Sequence, residues 1–316
     1  MRSIRGHFYT LWPSFRDPFR PESVPTSTPW STTVEDPDRG PVRLTGLLTE
    51  RPEARALVLV IHGLGGHPDR YYSRRAAQAA DDAGFSCLRF AMRGADLAGE
   101  DFYHTALAGD LAAAIASPEL ARYDRIYIIG YSIGGHVALH LGAEVEDPRV
   151  RGIAAVCSPL DLVKACEFID GPRPWFYRLH VLRGLKKMYD EVARRREVPT
   201  PAKDVRRTRT FREWDSMTIV PRYGFESVDH YYRTASVAPR LPHLRVPAIW
   251  VGDEHDPIAP PSTVRAAIDG SRGKLEAHFL SRGGHVTFPS RLDLGFGPRP
   301  GLEAQLISWL LDRDEG

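Results

Sequence analysis

Apolar runs and amphipathic segments alternate along most of the chain. One run, ALVLVIHGL (residues 56–64), is continuous enough to form a strand that is buried on both faces. The next segment, residues 69–84, has apolar positions at helical spacing and ends at a glycine. The same order recurs over residues 85–118, 125–145, 150–159 and 246–313. Strands that alternate with helices predict a mostly parallel sheet with helices on both faces.

Two segments depart from this alternation and divide the chain. Residues 1–40 are rich in proline, serine, threonine and aromatic residues, and their hydrophobic positions show no regular spacing. This predicts an irregular arm on the surface. Residues 161–240 are rich in arginine, aromatic residues and proline, and they are too long for a plain loop, so we expect helices there. Because this insertion follows a strand, at the sheet edge where α/β proteins bind ligands, we interpret it as a cap over the site. The predicted core is then residues 41–160 and 241–316.

The composition is that of an ordinary globular protein, with 316 residues, of which 42% are hydrophobic and 26% charged. The formal charge of +2 is nearly balanced and does not favour nucleic acid as a partner. Cys87, Cys157 and Cys166 form neither a disulfide framework nor a metal motif, and the first two are expected to be buried in strands. No signal-peptide core or membrane-spanning run is apparent, so the expected location is the cytoplasm.

A glycine-flanked serine lies between a predicted strand and a predicted helix, in the pentapeptide GYSIG (residues 130–134). In this position Ser132 is a candidate nucleophile on a sharp turn, because Gly130 and Gly134 allow the strand and the helix to approach each other. The pentapeptide is short enough to occur by chance, and the alternative is a small residue in a tight corner. The strand-turn-helix setting favours the nucleophile.

A nucleophilic serine needs a base and an acid that orients the base. Where the serine lies on a turn between a strand and a helix, the acid follows it in the sequence and the histidine base comes last. Asp253 and Asp256 both follow the strand-like AIWV. Asp256 precedes a proline at the start of a loop and is the preferred acid, whereas Asp253 is interpreted as a brace or cap for that loop. His285 follows the last strand beside two glycines and is the predicted base. His278 is the weaker choice because it lies inside the strand pattern.

Negative charge that develops on the attacked carbonyl oxygen requires N–H donors. We expect the backbone N–H groups of Leu64, in the HGLGG segment, and Ile133, directly after the serine, to form this oxyanion hole. His62 is interpreted as a structural brace of the HGLGG loop. Tyr103 and His104 open a predicted helix near the site, where the default role is packing or loop bracing and the alternative is a substrate contact.

The insertion leaves two questions open. Its aromatic residues either form its own core or line an apolar acyl pocket; they are Trp175, Phe176, Tyr177, Trp214 and Tyr223. Its basic clusters form a solvated helix face, a surface for acidic substrates, or a contact with a membrane or nucleic acid. No metal-binding histidine motif and no glycine-rich nucleotide motif is present, so neither a metal nor a cofactor is predicted.

Several motifs recur in the order of one known family. They run from GHFYTLWP (Gly6, His7, Thr10, Leu11 and Pro13) through HGLGG, RFAMRG, YHTALAGDL, GYSIGG, CSPLDL and DHYYRTAS to SRGGHVTF. In these motifs the chain resembles the AB hydrolase family four, the YheT-like hydrolases. The resemblance implies an α/β-hydrolase fold and a Ser–Asp–His hydrolase of acyl esters, commonly of short to medium chain. The chain departs from the family in GDEHDP, where two adjacent acids often precede the proline, and in its basic insertion.

The predicted function is hydrolysis of carboxylic esters, with a short- to medium-chain or lipid-like acyl group, by a Ser–His–Asp triad through an acyl-enzyme on Ser132. An acyltransferase that uses the same three residues with an alcohol acceptor is the alternative, and a hydrolase-fold protein that binds a ligand without turnover is the second. The expected partner is a small acyl ester, with no nucleic acid and no transmembrane segment. Peripheral contact with a membrane through the basic insertion and the oligomeric state are left open.

Overall fold

One sheet organises the computed structural model, which describes residues 2–16 and 24–315. Its strands are β1 (Thr28–Asp36), β2 (Gly40–Thr49), β3 (Ala56–Ile61), β4 (Ser86–Ala91), β5 (Arg125–Tyr131), β6 (Val150–Val156), β7 (Ala248–Asp253) and β8 (Leu275–Leu280). They lie side by side in the order β1-β2-β4-β3-β5-β6-β7-β8. β3 to β8 are parallel, and β1 and β2 pair antiparallel at one edge. The predicted mostly parallel sheet is confirmed.

Helices cover both faces of this sheet. They are α1 (Arg2–Arg16), α2 (Tyr71–Asp82), α3 (Ala108–Ile115), α4 (Ile133–Glu144), α5 (Leu162–Ile169), α6 (Trp175–Ala193), α7 (Ala202–Val205), α8 (Phe211–Met217), α9 (Ile219–Tyr223), α10 (Val228–Ala235), α11 (Pro261–Gly270) and α12 (Leu302–Glu315). The helices α5 to α10 all lie between β6 and β7, within the insertion defined above as residues 161–240.

The uninterrupted apolar run of β3 is explained by two separate hydrophobic cores. Successive side chains of a strand point to opposite faces of the sheet. Leu57, Leu59 and Ile61 accordingly lie in the core on one face, whereas Val58 and Val60 lie in the core on the other. Both faces are covered, so no position of β3 is left for a polar residue.

The prediction that residues 1–40 form an irregular arm is wrong. α1 is helical, and β1 pairs along its whole length with β2 across a turn at Gly40, where φ is +70°. β1 is an edge strand with one face largely exposed, so its polar residues conceal the alternation, and Pro29 is tolerated there. Trp30 is its buried anchor, with its ring centroid 6.3 Å from that of Phe90. Residue 1 and residues 17–23 of the predicted arm lie outside the described residues.

Two buried arginines connect the insertion to the core. Arg93, which follows β4, donates to both carboxylate oxygens of Asp110 in α3 at 2.7 Å and to Asp36 at the end of β1 at 2.6 Å. Arg222 in α9 donates to both oxygens of Asp101 at 2.9 and 2.6 Å, and to Asp36 at 3.1 Å. Burial alone would raise the pKa of Asp36, but the hydrogen bond from Arg93 and the nearby charge of Arg222 lower it to about 2. We call these five residues the ionic network.

Substitution of Arg222 tests how much the ionic network contributes to the stability of the fold. Arg222→Met leaves the buried carboxylates of Asp36 and Asp101 without one of their two cations, and a broken buried pair costs about 3–5 kcal/mol in the free energy of unfolding. Urea denaturation measures this loss. The control is Arg55→Gln, which breaks an exposed pair with Asp124 and is expected to cost less than about 1 kcal/mol. Equal losses in the two variants would contradict a structural role for the network.

Candidate active site

Ser132 lies on a strained turn between β5 and α4. Its φ and ψ angles are +52° and −122°, in a region that side chains other than glycine rarely adopt. Two backbone hydrogen bonds hold the turn. The Ser132 N–H donates to the carbonyl oxygen of Val156 at 2.7 Å, and the Ser132 carbonyl oxygen accepts from the Gly135 N–H at 3.1 Å. The turn presents the serine side chain to the carboxyl ends of the parallel strands.

The glycines on either side of Ser132 are required by close backbone approaches. A Cβ atom at Gly134 would lie 2.5 Å from the carbonyl oxygen of Ile61 and 2.6 Å from that of His62. A Cβ atom at Gly130 would lie 2.4 Å from the Cα atom of Gly135. Side chains at these positions would push α4 away from the sheet, and with it the turn that carries Ser132.

A chain of hydrogen bonds connects Ser132 to the two residues predicted to follow it. The distance from Ser132 Oγ to His285 Nε2 is 2.9 Å, and from His285 Nδ1 to Asp256 Oδ2 it is 2.9 Å. Asp256 follows β7 and His285 follows β8, so the sheet brings together residues that are far apart in the sequence. The contact with Asp256 favours the tautomer in which Nδ1 carries the proton and Nε2 is free to accept one.

The two candidate acids occupy different environments. Burial on its own would raise the pKa of Asp256, but the charge of His285 and the hydrogen bonds that Asp256 accepts lower it below its usual value. Two of those bonds come from the backbone N–H groups of Ile258 and Ala259, at 2.8 and 3.0 Å. Asp253 instead accepts the backbone N–H of His255 at 2.7 Å and makes no hydrogen bond to His285 in the described structure.

α1 supports His285 directly, a contribution that the interpretation as an irregular arm missed. The His285 N–H donates to Thr10 Oγ1 at 2.8 Å, and the Thr10 hydroxyl donates to the Gly6 carbonyl oxygen at 2.7 Å. His7, on the same helix, stacks on Tyr177 of the insertion with a ring-centroid distance of 5.7 Å. The motif GHFYTLWP was the one sequence signal for this contact. α1 therefore links the histidine loop to α6.

Cys157 lies directly behind the histidine and the acid. Its Sγ atom and ligand atoms of Asp256 and His285 lie within 4.8 Å of one another. Burial raises the pKa of the Cys157 thiol well above its usual value, which favours the protonated thiol. The sulfur instead accepts the Val286 N–H at 3.4 Å, which helps to position the histidine loop.

The loop after β3 lies against Ser132, and three of the four N–H groups of residues 63–66 are already used. Gly63 donates to Tyr72 Oη at 3.1 Å, Gly65 donates to Tyr103 Oη at 2.9 Å, and Gly66 donates to the Gly63 carbonyl oxygen at 3.0 Å. The remaining N–H, that of Leu64, has no partner among the described residues, and the same holds for the N–H of Ile133. These are the two N–H groups that were predicted to form the oxyanion hole, and that role stays a prediction.

His62 is buried below this loop. Its Nε2 atom accepts the Met92 N–H at 3.2 Å, which leaves Nδ1–H to donate to the Gly63 carbonyl oxygen at 2.8 Å. Burial lowers the pKa of His62 to about 4, so the ring is neutral at pH 7. Its position fits the predicted brace.

Tyr103 and His104 do not open a helix: they lie in the loop between β4 and α3, which begins at Ala108. Residues 103–107 of the YHTALAGDL motif are irregular, and the first two of them make tertiary contacts. Tyr103 binds the Gly65 N–H, and the ring centroid of His104 lies 4.4 Å from that of Tyr223. Burial, with the charges of Arg93 and Arg222, lowers the pKa of His104 to about 3.

A cavity of about 550 Å³ lies over Ser132 and His285. Thr10 and Leu11 of α1 contribute one wall. Mainly apolar and aromatic side chains of the insertion contribute another; they include Leu162, Ile169, Phe176, Tyr177, Leu185, Phe211, Trp214 and Ile219. Of the five aromatic residues singled out from the sequence, Phe176, Tyr177 and Trp214 line the cavity, Trp175 is 55% exposed, and Tyr223 packs on the ionic network.

A family model for the alpha/beta hydrolase fold matches residues 56–291, which is most of the chain. The protein belongs to the α/β hydrolase family. That match includes Ser132, Asp256 and His285, and it confirms the fold that the resemblance implied.

Similar proteins with curated names have identities of about a quarter. YheT of Escherichia coli (strain K12), named as an esterase, is 25% identical over 90% of this chain and 85% of its own length. A monoacylglycerol lipase of Saccharomyces cerevisiae is 25% identical over 65% of this chain, and the human phospholipase ABHD3 is 24% identical over 74%. This chain spans only 49% of the length of the yeast protein and 59% of the human one.

Solved structures share the fold at lower identity. The esterase Pf2001 of Pyrococcus furiosus has a TM-score of 0.52 at 15% identity, covering 82% of this chain and 85% of its own. A hydrolase of Pseudomonas aeruginosa PA01 has a TM-score of 0.52 at 17% identity, covering 90% and 98%. Within the described residues, no helix is both long enough and apolar enough to cross a bilayer.

The close approach at Gly134 predicts opposite effects of the same substitution at two helical glycines. Gly134→Ala forces a methyl group against two carbonyl oxygens and should cost about 1–3 kcal/mol in the free energy of unfolding. The control is Gly109→Ala in α3, where the added Cβ meets nothing within 4 Å and helix propensity should add about 0.5–1 kcal/mol. Thermal or urea denaturation compares them. A neutral effect at Gly134 would show that α4 can move away without cost.

The carboxyl group of Asp215, at the cavity wall, predicts a pH dependence of stability. Its Oδ2 accepts a hydrogen bond from the Tyr232 hydroxyl at 2.7 Å, but burial outweighs this bond and raises its pKa from 3.8 to about 7. Between these values the unfolded chain binds fewer protons than the folded one, so this group reduces stability as the pH rises through that window. Asp215→Asn should flatten that decline in urea denaturation at pH 5 and pH 8. The exposed Asp269→Asn is the control, and an unchanged decline in Asp215→Asn would contradict the prediction.

Proposed function

We propose that the protein is a serine esterase that cleaves a carboxylic ester through an acyl-enzyme on Ser132. The observation that carries the proposal is the hydrogen-bonded chain from Ser132 through His285 to Asp256 at the wall of a largely apolar cavity. The lipase, esterase and phospholipase names of similar proteins support the same class of reaction.

In the first half of the reaction, Ser132 Oγ attacks the carbonyl carbon of the ester while His285 Nε2 takes the hydroxyl proton. The 2.9 Å distance between these atoms already suits that transfer. The imidazolium then gives the proton to the departing alcohol, and the acyl group remains on Ser132. Asp256 stabilises the positive ring from the other side, and general base catalysis of this kind contributes about 10²–10⁴-fold.

The unpartnered N–H groups of Leu64 and Ile133 would bind the negative oxygen that forms during this attack. They belong to the two backbone segments beside Ser132, and the neighbouring N–H groups in the loop are held by Tyr72 and Tyr103. Donors that are fixed before the reaction do not have to reorient, and the loss of one costs about 10²–10³-fold in rate.

Water completes the cycle. His285 Nε2 accepts a proton from a water molecule, the hydroxide oxygen attacks the acyl carbonyl carbon, and the proton returns to Ser132 Oγ as the carboxylic acid leaves. Each half-reaction therefore returns His285 to its neutral form. The bond broken overall is the ester C–O bond, and the products are an acid and an alcohol.

The substrate class follows from the cavity. Its volume of about 550 Å³ is within the usual range for small-molecule sites, and side chains from α5, α6, α8 and α9 give it an apolar wall. Such a wall suits an acyl chain of short to medium length. In this proposal the insertion acts as the cap that covers the acyl group.

Labelling with a fluorophosphonate probe tests the proposed nucleophile and its partners. The wild-type protein should be labelled and should hydrolyse p-nitrophenyl esters, and Ser132→Ala should lose both activities. His285→Ala and Asp256→Asn should lower kcat by about 10⁴, the latter because the histidine then takes the wrong tautomer. A series of acyl chain lengths would then measure the pocket through the change in kcat/KM.

The matched control is Asp253→Asn, the same substitution in the other acid of the loop. Because Asp253 makes no hydrogen bond to His285, its loss should change kcat by less than about threefold, a free energy below 1 kcal/mol. Equal losses at both positions would remove the assignment of Asp256. A folded wild-type protein that is neither labelled nor active would contradict the proposal as a whole.

A further inference from the structure

Most cations of the insertion have partners. Arg206 pairs with Asp190, Arg212 pairs with Asp229, and Arg178 donates to backbone carbonyl oxygens. These contacts account for much of the basic composition as surface ion pairs and loop bracing. A cation that faces the cavity without a carboxylate partner is different, because its charge is available to an anionic ligand.

Arg70, which lies outside the insertion, is such a cation. It lies between the loop after β3 and α2, lines the cavity, and makes no ion pair with any carboxylate in the described part of the chain. Its Nε atom is buried without a hydrogen-bond partner. The neighbouring acid, Asp69, is already paired with Arg89 at 2.6 Å and with Arg74 at 3.6 Å. The guanidinium of Arg70 also lies within hydrogen-bonding reach of the Tyr72 hydroxyl. Burial raises the pKa of that phenol, and the charge of Arg70 and this contact lower it.

A second cation, Arg183, and the imidazole of His180 lie near Arg70 on α6. His180 lines the cavity and is exposed, so it marks an opening to solvent, and the exposed Arg183 follows it by one helical turn. Burial lowers the pKa of His180, and the charges of Arg70 and Arg183 lower it further, with no acid opposing them. Positive potential therefore collects at this end of the cavity.

A gathering of like charges is unfavourable in the empty protein, and an anion would relieve it. Low-dielectric walls concentrate such a potential at a cleft, and a guanidinium can donate two parallel hydrogen bonds to phosphate oxygens. The wall made by α5, α8 and α9 offers mainly apolar contacts to an acyl chain, so the charged end suits the alcohol part of an ester, beside the opening.

We propose that Arg70, with His180 and Arg183 beside it, forms an anion subsite that binds a phosphate group on the alcohol part of the substrate. This proposal rests on the esterase activity proposed above and names the substrate class within it. The preferred substrate is then an acyl ester of a phosphorylated alcohol. The phosphate can belong to a lipid headgroup or to a soluble ester, because both present the same oxygens.

Two esters that differ only in charge test the subsite. 1-Octanoyl-glycerol and 1-octanoyl-glycerol 3-phosphate carry the same acyl chain and the same scissile bond, and both are used as monomers in solution. For the wild-type protein we expect the phosphate ester to have a KM at least about tenfold lower, the size of one charged hydrogen bond. Raising the salt concentration should reduce this advantage.

Substitutions then assign the preference to Arg70. Arg70→Gln should raise the KM of the phosphate ester by about tenfold. The KM of the neutral ester and both kcat values should stay within about threefold of the wild-type values. Arg70→Lys should restore part of the preference because it keeps the charge. The control is Arg207→Gln, which removes an exposed charge of the insertion that does not line the cavity.

Binding to Ser132→Ala, measured by calorimetry with 1-octanoyl-glycerol 3-phosphate, separates the subsite from the chemistry. Binding that weakens in Ser132→Ala/Arg70→Gln supports the subsite even if the esterase proposal fails. Equal KM values for the two esters in the wild-type protein, or equal effects of Arg70→Gln on both, would overturn it. Long-chain phosphatidic acid in vesicles is the last arm: hydrolysis that depends on Arg70 assigns a lipid headgroup, and discrimination confined to the soluble ester assigns a soluble phosphate ester.

Discussion

The ionic network is the interaction on which the geometry of the cavity depends most. It joins the end of β1, the loop after β4 and α9 through Asp36, Arg93 and Arg222. Buried ion pairs are often no more stabilising than apolar packing, but they tolerate only one arrangement of their partners. Because the insertion forms a wall of the cavity, an arrangement that fixes α9 against the sheet also fixes where that wall stands. We therefore interpret the network as a positioning device more than as a source of stability.

The turn at Ser132 is a second constraint, and it acts at much shorter range. A non-glycine residue at φ +52° is strained, and the strain persists because the surrounding backbone leaves no alternative. α4 packs so closely on β3 that Gly134 has no room for a side chain. Backbone packing thus holds the serine in place before any substrate is present, while tertiary contacts from α1 hold the histidine loop. Ser132 and His285, whose Oγ and Nε2 atoms lie 2.9 Å apart, are therefore positioned independently of each other.

Local pattern was enough to predict the sheet and to single out Ser132, Asp256 and His285, which the structure brings into hydrogen-bond contact, because strand ends and glycines mark these positions in the sequence. It was not enough for β1, because the exposed face of this strand has polar residues like those of a loop. It was also not enough for α1, whose role lies in contacts with residues far along the chain. The same limit applies to the ionic network. A sequence shows where arginines and aspartates occur, but the pairing of Asp36 with Arg222 exists only after the sheet and the insertion have packed together.

The two ionisable groups Asp215 and Arg70 lie in different environments of the cavity. This contrast favours one orientation of a bound ligand. Asp215 is buried with its carboxyl group bonded to Tyr232, and burial favours its neutral form, so the wall near it presents little charge to a ligand. Arg70, by contrast, presents a guanidinium group to the cavity, near His180 where the cavity opens to solvent. If Arg70 binds an anion as we propose, a ligand with one apolar and one anionic end has one favourable orientation. That orientation would place its apolar end against the insertion and its anionic end at the opening, with the ester bond between them at Ser132.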